Sequence, residues 1–317
     1  MQDDLAQLIR QQLISLPHLE VVETDHKLIE HEKVTIHNEM WKCKGLRKIH
    51  LERATLEDRL KIVHCVFYPD PEYRIPIFGC DIIETPKQVT AAIVDISPVH
   101  GFNYEHQLAQ ISDRYHFTND RILPQWAEEV FSPYCKFARL NDDQDKRIYL
   151  DVTKEYLREF VKYVRIAEKD YKHKDWISIM KRIDDQSWYC TSQRKNKKTK
   201  AVLTQWFDEE WADNYINNVL FDKPLLIMAQ DYNPFDYVNS INLKTADYTS
   251  DEGYMSHYPA FMVNKALSYF IDTIMHSNEM NRLGASLDKD MQYNFLYIVL
   301  GNLRGFLLGQ RSLLTLI

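Results

Sequence analysis

Glycine is scarce in this sequence, with only 8 among its 317 residues. Loops that cradle the phosphates of a nucleotide use several closely spaced glycines, so we do not expect a nucleotide-binding loop of that kind. The GxSxG turn that exposes a nucleophilic serine in many hydrolases is missing as well. The sequence therefore gives no support to nucleotide chemistry or to a serine hydrolase.

Segments that direct a chain across a membrane are also missing. The N-terminal segment MQDDLAQLIRQQLISL is amphipathic and acidic near its start, unlike a secretory signal. No apolar run approaches the roughly 20 residues that a membrane-spanning helix needs. The cysteines form no CxxC pair and are odd in number, which favours reduced thiols in the cytoplasm over a disulfide framework. They are Cys43, Cys65, Cys80, Cys135 and Cys190.

Net charge is −7, which argues against a surface that as a whole binds nucleic acid or an acidic membrane. A local basic run, SQRKNKKTK (192–200), stands apart from this balance. We expect it to open a helix, where backbone N–H groups and side chains could bind carboxylates or an acidic partner. A simple solvated run of charge is the alternative.

Alternating apolar residues dominate residues 20–98, after an N-terminal helix at 1–16. Short strands joined by turn-forming residues are typical of an antiparallel sheet. The predicted strands are VVETDHKL, KVTIHNEMWKC, LRKIHLERA, LKIVHCVFY, IPIFGCDII and VTAAIVDIS.

Helical spacing predicts two further helices, over 143–168 and 199–220, with one more strand at 134–140. A sheet covered by helices on both faces is a three-layer α/β/α sandwich with a central antiparallel sheet. The chain changes character at a break over 222–234. We therefore predict one domain over 1–224 and a helical extension over 225–317.

Two histidines and two carboxylates lie on strands of the predicted sheet. In the RKIHLE segment, strand alternation puts Lys48, His50 and Glu52 on one face. A structural interpretation stays open, in which Glu52 is solvated beside Lys48 and the histidine is a satisfied structural group.

The next two strands add a histidine and an aspartate. In IVHC, Ile62 and His64 share a face, and in IFGCD, Asp81 follows a glycine that permits close approach of a ligand. Asp81 could instead be a turn residue. Because short links join these strands, the sheet could bring the polar groups together, which favours a functional site.

A metal site is the first alternative, because histidine, cysteine and aspartate are suitable ligands. However, neighbours such as His64 and Cys65 point to opposite faces of a strand and cannot easily share one ion. We therefore expect no metal.

Longer blocks surround these motifs: RKIHLE, LKIVHCVFYPDPEYRIPIFGCDII, AAIVDISP, LPQWAEEVFSPYCKFAR and YCTSQRKNKKTKAVL. Together, and in this order through about residues 5–222, they resemble the ferredoxin-dependent bilin reductases. The resemblance implies a sandwich fold that holds a bilin between sheet and helices. It also implies that no metal, flavin or other cofactor is bound, that reduced ferredoxin delivers single electrons, and that bilin radicals are intermediates.

The same resemblance implies residue roles. Glu52 matches the proton donor to the D-ring vinyl group, and His50 matches a supporting member of the proton network. His64 and Asp81 match the pair that hydrogen-bonds the bilin lactams and shares protons with the substrate. The matching substrate-binding positions are Lys48, Ile62, Arg121, Asn196 and Lys198. Of these, Arg121 and Lys198 are expected to bind propionates.

Glu52, His64 and Asp81 together imply reduction of biliverdin IXα to phycocyanobilin, at the D-ring vinyl group and then at the A-ring. A phycoerythrobilin or another phytobilin is the alternative product, and a bilin carrier without turnover is a hypothesis of another class. Ferredoxin is the expected partner, with no membrane or nucleic acid partner for this domain. The expected location is the cytoplasm of a cyanobacterium or of a phage-infected cell.

The extension contains NPFDYVNSIN and YPAFMVNKALSYFIDTIMHSNEMN, which are similar to the N-terminal part of the small clamp-loader subunit of T4-like phages. Helical spacing predicts a helix over 260–281. Met228 could be an old start codon, so a gene fusion, a read-through or a frameshift is our hypothesis. An added helical subdomain and a replication accessory role stay open.

Overall fold

The structure is a computed structural model that describes residues 1–102, 105–170 and 176–224. The chain divides into two units, Met1–Pro224 and Leu225–Ile317, and the described residues all lie in the first. The predicted helical extension, including the helix over 260–281, therefore lies outside the described residues.

One antiparallel sheet forms the centre of the first unit, as the alternating pattern predicts. Its strands follow the order β1-β3-β4-β5-β6-β7-β8. Strand β2 also pairs with β3, at the end of β3 opposite to the one that pairs with β1. The strands are β1 Glu20–Val21, β2 Leu28–His31, β3 Val34–Cys43, β4 Leu46–Leu56, β5 Leu60–Pro69, β6 Ile77–Glu84, β7 Val89–Ser97 and β8 Lys136–Leu140.

The first predicted strand, VVETDHKL, is wrong as a single element. Its two ends pair with opposite ends of β3, as β1 and β2. Between them the chain turns, and the Lys27 N–H donates to the carbonyl oxygen of Thr24 over 3.2 Å. A period-two pattern predicts extended backbone but does not reveal a turn within it.

Helices cover both faces of the sheet and give the expected three layers. The helices are α1 Gln2–Leu13, α2 Glu105–Ser112, α3 Gln125–Glu128, α4 Asp143–Ile166, α5 Trp176–Gln193, α6 Lys197–Trp206 and α7 Glu209–Tyr215, followed by a π-helix at Ile216–Leu220. The prediction for α4 is confirmed, and the Asp142 side chain caps its start by accepting from the Asp145 N–H.

The single helix predicted over 199–220 is wrong. The backbone leaves helical geometry at Phe207, and the Asp208 side chain starts a new helix by accepting from the Trp211 N–H over 2.7 Å. The basic run opens a helix, as predicted, because α6 begins within it at Lys197. It spans the end of α5 and the start of α6, where Asn196 is the cap residue.

Strand alternation divides the interior into two cores. Leu51, Cys65 and Cys80 face the core shared with α1 and α4. Val66, Tyr68 and the other residues of opposite parity face the core shared with α5, α6 and α7. The histidines and carboxylates of interest lie on this second face, so that one surface of the sheet carries all the candidate chemistry.

A two-residue turn at Lys44 and Gly45 sets the register of β3 and β4. Gly45 has φ +86°, a left-handed conformation that glycine adopts without strain. A Cβ there would also lie 2.7 Å from Cδ1 of Ile75. This turn pairs Cys43 with Leu46, and an irregularity between Trp41 and Cys43 then shifts the register by one residue, so that Asn38 lies opposite Glu52.

Candidate active site

Four polar residues form one row across four neighbouring strands. Asn38 on β3 lies opposite Glu52 on β4, Glu52 opposite His64 on β5, and His64 opposite Asp81 on β6. Directly opposed residues of antiparallel strands have Cα atoms about 4.5–5.5 Å apart, so Glu52 and Asp81 lie about 10 Å apart. The predicted groups of RKIHLE, IVHC and IFGCD therefore share one site.

His64 and Asp81 form a hydrogen-bonded pair. The Nδ1 atom of His64 lies 2.6 Å from Oδ1 of Asp81. His64 is buried, whereas the Asp81 side chain is 41% exposed in the middle of its strand and not at a turn. Burial opposes the imidazolium form of His64, but the Asp81 and Glu52 carboxyl groups outweigh it, so the pKa of His64 is raised.

Glu52 is buried, so the alternative in which it is solvated beside Lys48 is wrong. The Tyr215 hydroxyl oxygen lies 2.6 Å from Oε2 of Glu52 and 2.8 Å from Oδ1 of Asn38. Burial raises the pKa of Glu52, because a carboxylate loses its hydration there. A protonated Glu52 is an acid that can donate to a ligand.

His50 completes the network from the same strand as Glu52. Its Nε2 atom lies 2.7 Å from Oδ1 of Asn38, and its ring centroid lies 6.1 Å from that of His64. Burial and the nearby Lys48 charge hold the pKa of His50 well below its usual range. Within the described part of the chain, Nδ1 of His50 and Nε2 of His64 are buried without a hydrogen-bond partner. Such atoms are suited to a polar ligand.

An apolar shelf surrounds Asp81 on the same face of the sheet. It consists of Ile62, Ile83, Ile93 and Phe137, none of which is fully buried. Ile93 lies opposite Asp81, and Phe137 lies opposite Ile93, so the shelf continues the polar row. A flat apolar ligand laid on this surface would contact the shelf and reach Asp81 and His64.

The sequence profile of the family described as ferredoxin-dependent bilin reductase matches residues 3–222. The chain belongs to this family. It is 40% identical over 227 residues to phycocyanobilin:ferredoxin oxidoreductase of Prochlorococcus marinus strain MIT 9515, which covers 69% of this chain and 92% of that protein. It is 36% identical over 228 residues to the protein of the same name from Synechococcus sp. strain CC9605, with 69% and 92% covered.

Among solved structures, phytochromobilin synthase from tomato in complex with biliverdin shares the fold, with a TM-score of 0.60. The two chains are 17% identical, and the match covers 68% of this chain and 82% of that one. The profile of the bacteriophage clamp loader A subunit matches residues 231–305, which supports the resemblance of the extension. No helix in the described part of the reductase is long and apolar enough to cross a membrane.

Lys48 of the reductase does not point to a free ligand site. Its Nζ atom pairs with Asp222 and donates to the Val219 carbonyl oxygen over 2.6 Å. We group Lys48 with three further side chains as the C-terminal clamp, since each donates to a backbone carbonyl oxygen between residues 217 and 222. These side chains are Arg47, Tyr68 and Arg194.

The C-terminal clamp holds Phe221 against His64 of the polar row. The ring of Phe221 lies 5.3 Å from that of His64, edge to face. A π-helix just before it is a rare element that often marks functional sites. Arg194, which belongs to the basic run, therefore stabilises this segment, and the part of that run in attracting an acidic partner stays a prediction.

The remaining predicted binding residues lie on the apolar shelf, at its end, or at the start of α6. Arg121 stacks over Phe137 at the end of the shelf, with Cζ 4.7 Å from the ring centroid, and donates to the Thr90 carbonyl oxygen. Asn196 accepts from the Lys198 N–H at the start of α6, and Lys198 is exposed. Ile62 is part of the shelf, as its position before His64 indicates.

A separate open cleft of about 390 Å³ lies between α5 and the end of β7. Tyr189 lines this cleft, and its hydroxyl lies against Gly79, next to Asp81 along the same face. Among the described residues, no group of three histidine, cysteine, aspartate or glutamate side chains could hold a metal ion. The metal-site alternative therefore has no ligand set in that part of the reductase.

Sequence reasoning missed three residues of the site: Asn38, Tyr215 and Phe221. Asn38 left a signal, because it lies between Ile36 and Met40 at a position whose parity points into the core. Tyr215 lies within the helix predicted over 199–220, which gives it no role in the site. Nothing in the local pattern shows that its hydroxyl reaches β4, since that contact joins residues far apart in sequence.

Proposed function

We propose that the reductase converts biliverdin IXα to phycocyanobilin through bilin radical intermediates, with protons supplied by Glu52, His64 and Asp81. The single observation that carries this proposal is the row of these three residues on neighbouring strands. Relatives named phycocyanobilin:ferredoxin oxidoreductase support the product.

Proton supply follows from the electron chemistry. Reduced ferredoxin gives one electron at a time, and each electron makes the conjugated bilin more basic. One proton per electron keeps charge from building up, so four electrons and four protons reduce two double bonds, one at the D-ring vinyl group and one at the A-ring. The protein binds, orients and protonates the bilin, while ferredoxin supplies the electrons.

Two separate acidic groups suit two separate reductions. Glu52 is enclosed beneath Tyr215 and holds its proton because burial raises its pKa. His64 and Asp81 share a short hydrogen bond, along which a proton can pass from one residue to the other. We assign Glu52 to the D-ring vinyl group and the His64–Asp81 pair to the lactams, with His50 supporting the network.

The bilin lies on the apolar shelf in this proposal, with a pyrrole edge over Asp81 and His64. Arg121 stands at the Phe137 end, where its planar guanidinium can bind a propionate through two hydrogen bonds. Lys198 and Asn196 are further propionate candidates at the start of α6. Lys48 reaches the bilin only if its pair with Asp222 opens.

Ferredoxin is proposed to dock near the exposed lysines between α5 and α6. Lys195, Lys197 and Lys198 are exposed there, and Lys195 lies 4.5 Å from the ring centroid of Trp188. A cluster of exposed positive charge attracts an acidic partner and speeds association at low salt. We expect turnover to fall as ionic strength rises, and a rate unaffected by salt would contradict this docking face.

The location is proposed to be the cytoplasm. All five cysteines, whose thiols are free, lie within the described unit. Free thiols persist in a reducing compartment, which is also where a ferredoxin-dependent enzyme meets its reduced donor.

The clamp-loader resemblance supports a two-domain division, with the reductase over 1–224 and the extension over 225–317. We assign no replication activity to the extension, because the matching profile covers residues 231–305 only. The test is a clamp-binding assay with the full chain and with a chain that ends at Pro224. Binding that depends on the extension would establish a replication role.

An anaerobic single-turnover assay tests the proposed function. Purified protein, biliverdin IXα and chemically reduced ferredoxin are mixed, and absorption spectra are recorded until the reaction ends. The proposal predicts a transient radical spectrum followed by phycocyanobilin on chromatography. Binding with a spectral change but no radical and no product would show a carrier, and phycoerythrobilin would show the alternative reductase.

A further inference from the structure

The orientation of the Asn38 amide is fixed by its hydrogen bonds. Its Nδ2 atom donates to the His26 carbonyl oxygen over 2.7 Å. Turning the amide over would place two acceptor oxygens against each other, so Oδ1 must face the interior. Oδ1 has only lone pairs, and the groups that approach it, the Tyr215 hydroxyl and Nε2 of His50, must therefore both donate.

The Tyr215 hydroxyl has one hydrogen, and Asn38 takes it. The same hydroxyl oxygen lies 2.6 Å from Oε2 of Glu52, a separation that requires a hydrogen between the two oxygens. With its own hydrogen directed at Asn38, Tyr215 can only accept in that second contact. The hydrogen must then belong to Glu52.

We propose that Asn38 and Tyr215 are positioning residues that hold Glu52 in its protonated form and aim its acid hydrogen. The donor order runs from Glu52 to Tyr215 to Asn38, with His50 donating to the same amide oxygen from the other side. This inference deepens the proposed function and rests on it for the use of the proton. Without the Asn38 amide, Tyr215 would turn its hydroxyl hydrogen to Glu52 and stabilise the carboxylate.

Aromatic stacking keeps Tyr215 in place. Its ring stacks on Trp211 with centroids 4.7 Å apart, and Trp211 stacks on Phe207 with centroids 3.8 Å apart. Such a stack fixes the plane of a buried ring and leaves the hydroxyl hydrogen as its remaining freedom. The amide of Asn38 then decides where that hydrogen points.

The other titratable groups around Glu52 come from each packed strand. Burial is the largest influence on Glu52 and raises its pKa. His64 on β5 favours the carboxylate form of Glu52, whereas Asp81 on β6 favours the protonated form of Glu52. His50 lies on the same strand as Glu52 and stays neutral, with its Nε2–H used by Asn38. The acid hydrogen of Glu52 is therefore assigned to the contact with the Tyr215 hydroxyl oxygen and not to these groups.

Infrared difference spectroscopy of the full chain, without bilin or ferredoxin, reports the protonation of Glu52. The spectrum of the parent protein minus that of Glu52→Gln isolates the carbonyl band of the protonated acid, which is followed as pH is raised. We expect this band at neutral pH. Without an acid band at neutral pH, the inference fails even if the enzyme makes phycocyanobilin, so the two proposals are tested separately.

Two variants test the order of donors at Tyr215. Asn38→Leu frees the Tyr215 hydrogen for Glu52, so the acid band should disappear about one pH unit lower, the effect of one charge-assisted hydrogen bond. Tyr215→Phe removes the hydroxyl oxygen that accepts the acid hydrogen, so the band should likewise disappear at lower pH. Tyr156→Phe is the matched control, because its hydroxyl donates to the Tyr134 carbonyl oxygen in the other core. A band that persists to higher pH in Tyr215→Phe would overturn the inference, because the hydroxyl would then have been donating to the carboxylate, and circular dichroism confirms that each variant is folded.

Discussion

Single residues of the catalytic face are held in states that water would not favour. Glu52 is buried with a raised pKa, and His50 is buried with a lowered one. Both states lower the free energy of unfolding over some pH range, because the unfolded chain would ionise freely. Keeping Glu52 protonated and His50 neutral therefore lowers the stability of the folded protein.

Glu52→Gln tests this cost of the stored acid. Because the folded pKa of Glu52 is raised, the folded state binds more protons than the unfolded state between the two pKa values. Stability then falls as pH rises through that range. The variant should match the parent protein in acid and exceed it at alkaline pH, as measured by Tm across pH. A constant difference between the two curves would contradict the raised pKa.

Gly79 tests the close approach of Tyr189 to the sheet. A Cβ on Gly79 would lie 3.1 Å from the Tyr189 hydroxyl oxygen, so Gly79→Ala forces that side chain to move. We expect a loss of about 1 kcal/mol, or a Tm lower by about 2–4 °C. The same substitution made on top of Tyr189→Phe should cost less, since the crowded oxygen is gone. An equal cost in both backgrounds would show that Tyr189 is not the cause.

Among the elements, the segment from Tyr215 at the end of α7 to Asp222 joins the two ends of the site. The C-terminal clamp places Phe221 against His64, and Tyr215 at the other end contacts Glu52. Burial of Asp222 opposes its charged form, but the Lys48 and Arg47 charges outweigh that effect and lower its pKa. The ion pairs of this aspartate thus stabilise the wall of the site.

Asp222→Ala should loosen that wall. The variant leaves the largely buried Lys48 and Arg47 charges without their carboxylate, which we expect to cost about 1–3 kcal/mol in urea unfolding. Asp213→Ala is the matched control, because that carboxylate pairs with the partly exposed Lys200, so the variant should cost clearly less than Asp222→Ala. Equal losses of unfolding free energy for the two variants would show that the ion pairs of Asp222 stabilise the protein no more than a partly exposed pair does.

The elements also show what a sequence pattern can predict. The strands of the site alternate regularly, so the shared face of His50 and Glu52 follows from parity alone. Helix α5 escaped prediction because the residues it buries include Arg182 and Gln186, which donate to the carbonyl oxygens of Pro71 and Pro69. Apolar periodicity cannot identify a helix that packs through buried polar groups.

Over the whole molecule, the row, the shelf and both cores lie within residues 1–224. A chain that ends at Pro224 should therefore fold and reduce biliverdin at a rate close to that of the full chain. Circular dichroism and the anaerobic assay check both parts of this prediction. A folded but inactive short chain would show that the extension contributes to the site.

The central claim is that Glu52 protonates the D-ring vinyl group while His64 and Asp81 serve the rest of the bilin. The most direct test is chromatography of the products that Glu52→Gln forms from biliverdin IXα with reduced ferredoxin under anaerobic conditions. We predict that the D-ring vinyl group stays unreduced in every product. Phycocyanobilin formed by this variant at the rate of the parent protein would contradict the claim.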